Sequence, residues 1–161
     1  MADTRALTLT DKRKLEAELA ELIEAKKRVA EDIKTARGFG DLSENAEYDE
    51  AKAEEARVYG RIAELETILS SSTFVDDSRV STDTVSVGTV VKVFDYDPDP
   101  DFGGECEYTM VGFTEADPMI NFISQESPIG AALIGARVDD IVEFDAPGGH
   151  MKLKVLDIRR R

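Results

Sequence analysis

The sequence predicts an α+β protein: a long antiparallel coiled-coil hairpin of two α-helices over residues 1–77, then a small β-rich domain with one short helix over residues 78–161. Three observations predict it. Apolar residues recur at alternating steps of three and four on both sides of a Gly-Phe-Gly break. A stretch rich in Ser, Thr and Asp then interrupts that pattern. Beyond it, apolar residues fall in short β-branched and aromatic runs.

Thr8 and Thr10 offer N-caps before a stretch from Asp11 to Arg37 that holds neither Pro nor Gly. Within it Leu15, Leu19, Leu22, Val29, Ile33 and Ala36 form a heptad seam that Lys26 alone interrupts. Past Gly38-Phe39-Gly40 the seam resumes at Tyr48, Ala51, Val58, Ile62, Leu65 and Leu69, interrupted once by Glu55. Folding one seam back on the other pairs Leu15 with Leu65, Leu19 with Ile62, Leu22 with Val58, Val29 with Ala51 and Ile33 with Tyr48. All these pairs share a midpoint at Gly40-Asp41, which is the predicted turn. Lys26 and Glu55 share it too, so they are expected to face each other as an ion pair that fixes register more than it stabilises. At about 1.5 Å per residue, the stretch from Asp11 to Arg37 is roughly 40 Å long. A thin hairpin with a small tip is therefore expected.

Charge limits the partners. The net charge is −14, with 20 basic against 34 acidic side chains. Phosphate contacts need clustered Lys and Arg, so independent DNA binding is not expected, and work near nucleic acid would rest on docking to another protein. The apolar runs, such as Val85–Val93, are broken by polar residues and fall short of a membrane span. The start Met1-Ala2-Asp3-Thr4-Arg5 lacks the flank and apolar stretch of a signal peptide. Cys106 is the only cysteine. No internal disulfide can form, and a cytoplasmic monomer without membrane association is expected.

The turn reads Gly40-Asp41-Leu42-Ser43-Glu44-Asn45-Ala46-Glu47-Tyr48. Two readings of its acids stand side by side. In the first, Asp41 is the N-cap of the second helix and Glu44 completes a capping box. In the second, the two carboxylates converge as oxygen ligands for a hard cation. Two carboxylates alone make a poor Mg²⁺ site, because the ion demands octahedral oxygen geometry. They could complete a site whose other ligands belong to a partner, as in two-metal phosphodiester chemistry. The basic residues Lys26, Lys27, Arg28, Lys34 and Arg37 along the first helix read as a solvated face balanced by nearby acids.

Ser70–Ser86 reads as a linker leading into a strand. Val85–Phe94, Cys106–Phe113, Phe122–Ser124, Ile141–Phe144 and Met151–Ile158 read as strands, with Pro128–Leu133 a short helix started by its proline. Gly148-Gly149 turns a final hairpin. The run Asp95-Tyr96-Asp97-Pro98-Asp99-Pro100-Asp101 invites a calcium reading. An EF-hand loop needs Gly at its sixth position and Glu at its twelfth, and the frames from Asp95 and from Asp97 both lack them. A solvated acidic loop is expected instead. His150 follows the glycine turn with no visible partner and is given no role.

The run Arg37-Gly38-Phe39-Gly40-Asp41-Leu42-Ser43-Glu44-Asn45-Ala46-Glu47-Tyr48 resembles the tip signature of the GreA/GreB family of bacterial elongation factors. Gly60-Arg61-Ile62, Ser127-Pro128-Ile129, Leu133-Ile134-Gly135 and Ala146-Pro147-Gly148-Gly149 resemble further landmarks of that family, in order along the chain. The resemblance implies a coiled coil that enters the secondary channel of backtracked bacterial RNA polymerase. There Asp41 and Glu44 would help hold the second Mg²⁺ and its water, and hydrolysis would release the extruded RNA 3′ end. The protein would be an accessory factor and no free-standing nuclease, with Mg²⁺ shared with the polymerase and none tightly bound alone. Asn45 and Tyr48 would support the tip, Tyr48 also serving the seam, and Arg37 would contact RNA or polymerase. The C-terminal part would be an FKBP-like domain docking at the channel rim through Glu126, Ser127 and Pro128, with a simple helix start standing as the equal reading of Pro128. Rivals are a channel-binding regulator or inhibitor that does not stimulate cleavage, and an FKBP-like chaperone or prolyl isomerase. The last is disfavoured because Trp is absent and the aromatics are few and scattered.

Overall fold

A computed structural model describes residues 5–38, 45–97, 99, 101 and 103–161. The predicted turn at Gly40-Asp41 and the acids Asp41 and Glu44 lie outside these. Strand β1 (Ala6–Thr8) leads into helix α1 (Leu9–Arg37), then helix α2 (Ala46–Ser71), strand β2 (Thr73–Val75), β3 (Thr89–Asp95) and β4 (Gly104–Met110). Strand β5 (Phe122–Ile123), helix α3 (Pro128–Leu133), β6 (Ile141–Ala146) and β7 (Gly149–Arg160) complete the chain. Packing divides it into two compact units. One is Arg13–Ser71; the other joins Met1–Lys12 to Ser72–Arg161. This differs from a single cut between residues 77 and 78, because β1 pairs in parallel with β2. Among the described residues no helix is long and apolar enough to cross a membrane.

In the helical unit the buried side chains are those of the predicted seam. Leu15, Leu22, Val29, Ile33 and Ala36 are buried on α1, and Ala51, Val58 and Leu65 on α2. Leu19, Tyr48, Ile62 and Leu69 are half-buried. Each buried leucine, isoleucine or valine stabilises by roughly 1.5–3 kcal/mol relative to exposure, so this narrow stripe is the main cohesion of a two-helix body. Thr8 caps α1 as expected, its Oγ1 accepting from the Asp11 amide at 3.0 Å. Thr10 does not cap; its hydroxyl donates to Asp77 Oδ2 at 2.7 Å.

The expected Lys26–Glu55 pair does not form. Lys26 is exposed, with its ammonium 4.9 Å from the Tyr59 ring centroid. Glu55 instead accepts from Lys52 at 2.7 Å, one turn earlier on its own helix. An intrahelical partner needs less ordering than a cross-helix one, and a π face holds an ammonium without taking it out of water. The polar tie across the seam is Arg61 with Glu18. Its guanidinium donates Nε to Oε1 at 2.7 Å and Nη2 to Oε2 at 3.0 Å, and Nη1 reaches Glu64 at 3.0 Å. Glu18 is held below its ordinary pKa, chiefly by the hydrogen bond from Arg61. Both side chains are more than a third exposed, so solvent screens the pair. A double-mutant cycle of Glu18→Ala and Arg61→Ala is expected to give a coupling of about 0.5–1 kcal/mol in urea unfolding. No measurable coupling would show that the fork adds nothing to register.

In the second unit five strands form one sheet in the order β5-β4-β3-β7-β6. β3 lies antiparallel between β4 and β7, with a register shift between Lys92 and Val93 on the β7 side. Alternation puts Val91 and Val93 of β3 with Leu153 and Val155 of β7 into a core completed by Met110, Ile123 and Leu133. The predicted strands and helix are all present with shifted ends: β3 starts later and β4 ends earlier than expected, while β6 and β7 run longer. β1 and β2 were not predicted. Leu7 of β1 is fully buried, and a Cβ at Gly112 would meet Leu7 Cδ2 and lie 2.9 Å from the Ala6 carbonyl oxygen. Only glycine lets β1 come this close.

Candidate functional site

In sequence, Asp41 and Glu44 fall between two helix ends that the structure describes in detail. A helix leaves its last carbonyls and its first amides without partners. Here one side chain serves both ends. Asn45 Oδ1 accepts from the Tyr48 amide at 3.1 Å, which makes Asn45 the N-cap of α2. Its Nδ2 donates to the Ala36 carbonyl, in the last turn of α1, at 2.6 Å. Close by, the Arg37 guanidinium lies 6.0 Å from the centroid of the half-buried Tyr48 ring, a second link across the same neck. The Gly38 amide closes the end of α1 on the Thr35 carbonyl at 3.0 Å.

This corrects the capping-box reading. Asp41 was a candidate N-cap, but α2 begins at Ala46 and is capped by Asn45. The N-cap of α2 is therefore Asn45, while Asp41 and Glu44 themselves lie outside the described residues. The sequence offered Asn45 as tip support; its double bond to both helices was not legible. Of the basic residues on α1, Lys27 pairs with Glu24 at 3.1 Å and Lys26 covers Tyr59, while Lys34 and Arg37 sit in the last turn, where cations suit the helix dipole.

In the other unit Ser127 is the N-cap of α3. Its Oγ accepts from the Gly130 amide at 3.1 Å and donates to the Ser124 carbonyl at 2.8 Å, and Pro128 occupies the first turn. The local roles of Ser127 and Pro128 are thus structural, while Glu126 is exposed beside them. The aromatics are less scattered than the sequence suggested. Strand pairing gathers Tyr108, Ile123, Ile129, Phe144 and Met151 around an apolar hollow of about 240 Å³, rimmed by Pro118 and Pro128. Burial pushes the Tyr108 hydroxyl and the Cys106 thiol up from their ordinary pKa values, so Cys106 is a poor nucleophile here.

Two family models match the chain: "Transcription elongation factor, N-terminal" over residues 6–73 and "Transcription elongation factor, GreA/GreB, C-term" over residues 80–160. A protein of Clostridium perfringens named "Transcription elongation factor GreA" is 52% identical over 155 residues, covering 96% of each chain. The chain belongs to the GreA/GreB family. A second GreA/GreB member, from Thermoanaerobacter pseudethanolicus and of the same name, is also 52% identical over 155 residues, again covering 96% of each chain. Among solved structures, the GreA factor homolog 1 protein of Thermus thermophilus matches at 28% identity and a TM-score of 0.44, covering 96% of this chain and 97% of that one.

Outside the GreA/GreB landmarks, His150 does have partners. Its Nδ1 lies 2.9 Å from Asp145 Oδ1 across the β6–β7 hairpin, and its Nε2 lies 3.6 Å from Glu143. The hydrogen bond to Asp145, then that to Glu143, raises its pKa above 6.5. The stability this adds is fully present below the unfolded-state pKa and is lost as pH rises through the raised folded value. Asp145→Asn is expected to bring the imidazole titration, followed by NMR on the chain's single histidine, back toward 6.5. An unchanged midpoint would rule out the Asp145 contact in solution.

Proposed function

We propose that the protein is a transcription elongation factor that stimulates RNA polymerase to cleave its own backtracked transcript, with Asp41 and Glu44 as the acting carboxylates. One observation carries this reading. The chain is 52% identical over nearly its full length to relatives named transcription elongation factor GreA, and it holds the Arg37–Tyr48 run intact.

The donor chemistry fits half of a Mg²⁺ site. Two carboxylates are the hard oxygen ligands that Mg²⁺ takes, but they cannot satisfy its octahedron alone. When bound, Mg²⁺ supplies Lewis-acid activation of water for phosphodiester hydrolysis. The chain's own part is then to bring Asp41 and Glu44 to the polymerase centre, orient a water by hydrogen bonding, and leave the remaining ligands to the polymerase. This supports an accessory role and argues against an independent nuclease. Arg37, at the end of α1, is placed in sequence to meet RNA or polymerase, and Glu126, Ser127 and Pro128 to dock the second unit.

The test is a stalled, backtracked polymerase carrying 3′-extruded labelled RNA. Adding the protein with Mg²⁺ is expected to speed release of the 3′ fragment. Binding without faster cleavage would instead identify a regulator that occupies the channel.

A further inference from the structure

Asn45 is the last described residue before the segment that carries the two acids, counted from the C-terminal side, and its amide touches both helices. A side chain that only capped α2 would need an acceptor alone, and Ser, Thr or Asp would serve as well. The Ala36 bond uses the other half of the carboxamide, a donor that an ionised Asp lacks. Ala36 is itself buried at 3% exposure, so the accepting carbonyl belongs to a packed backbone. The Arg37–Tyr48 contact spans the same gap independently.

We propose that Asn45 is a positioning residue: its amide clasps the end of α1 to the start of α2 and so sets the separation of Gly38 and Asn45, the described residues that flank the acids in sequence. The inference rests on the function proposed above, since it acts through Asp41 and Glu44. Reacting groups tolerate little displacement, since a misplacement of about 1 Å can cost on the order of a hundredfold in rate.

Two substitutions separate the clasp from the cap. Asn45→Asp keeps the acceptor for the Tyr48 amide and removes the donor to Ala36; Asn45→Ser keeps a neutral cap and is too short to reach across. Both are expected to retain helix content by circular dichroism and half-saturation of polymerase within about twofold, while maximal cleavage at saturating protein falls about tenfold or more. Spin labels at Lys34→Cys and Glu50→Cys, in a Cys106→Ser background, are expected to show a broadened distance distribution in both. A wild-type maximal rate in either variant overturns the proposal; a loss confined to Asn45→Asp would trace to its added charge. An unchanged distance distribution overturns it as well. Asp41→Ala run in parallel distinguishes the failures: if it is inactive while the Asn45 variants cleave normally, only the clasp is wrong, and if it cleaves normally the proposed function falls with it.

Discussion

Asp41→Ala and Glu44→Ala are each expected to lower maximal transcript cleavage by about a hundredfold or more while leaving polymerase binding and thermal stability nearly unchanged. Under the proposed function each variant would lose a charged oxygen ligand and an orienting group for the attacking water, each of which contributes heavily to such chemistry. The selectivity follows from the neck. The start of α2 is capped by Asn45, and the buried seam of the described residues is built from other positions, so the helix cap and that seam stay intact in both variants. Asp41→Asn and Glu44→Gln are expected to fall nearly as far, because the amide keeps the shape and loses the charge. Competition for polymerase between wild type and variant, read as cleavage against added variant, checks that binding persists. Normal cleavage by both alanine variants would falsify the assignment of the acids.

Gly130→Ala is expected to destabilise the C-terminal unit by about 3 kcal/mol or more and to lower Tm by at least about 10 °C. A Cβ at Gly130 would overlap the Ser124 carbonyl oxygen and lie 2.7 Å from its carbonyl carbon and 2.9 Å from Ser127 Oγ. Backbone must move, because a carbonyl cannot swing aside as a side-chain terminus can. The same Ser124 carbonyl accepts the Ser127 hydroxyl, so the shift would also loosen the cap of α3. Leu133 at the end of that helix is fully buried against the sheet core, which carries the damage inward. Scanning calorimetry decides it. A Tm within a degree or two of wild type would mean that the turn relaxes without cost.

What the sequence revealed depended on the range over which each signal acts. The hairpin register was legible because Leu15, Leu22, Val29, Ala51, Val58 and Leu65 repeat over many turns, and one seam constrains the other. The five main strands were legible from β-branched runs. Ala6–Thr8 and Thr73–Val75 were not, since three residues carry too little alternation to separate strand from linker. Lys26 and Glu55 obeyed the pairing symmetry but found cheaper partners nearby. Arg61 and Glu18 also lie nearly symmetric about the turn, and that was the signal for the tie that does form. At the tip, Asp41-Leu42-Ser43-Glu44 drew attention as a capping box because the motif is local. Asn45 caps α2 through the Tyr48 amide, and its bond to Ala36 joins residues of different helices, which no local motif encodes.

The parallel pairing of β1 with β2 has a consequence for how the molecule is made. Ala6 pairs with Thr73, so the whole hairpin is, topologically, an insert within the body that holds both chain ends. During synthesis the hairpin can close early through contacts between near neighbours in sequence, whereas the first strand must wait for its partner and then for Gly112. Leu7 stays without its burial site through that interval. A fragment beginning at residue 78 would carry the opposite defect, with the slot at Gly112 formed and no strand to fill it. The body is thus written in two separated pieces, and its N-terminal strand waits on residues as far downstream as Gly112.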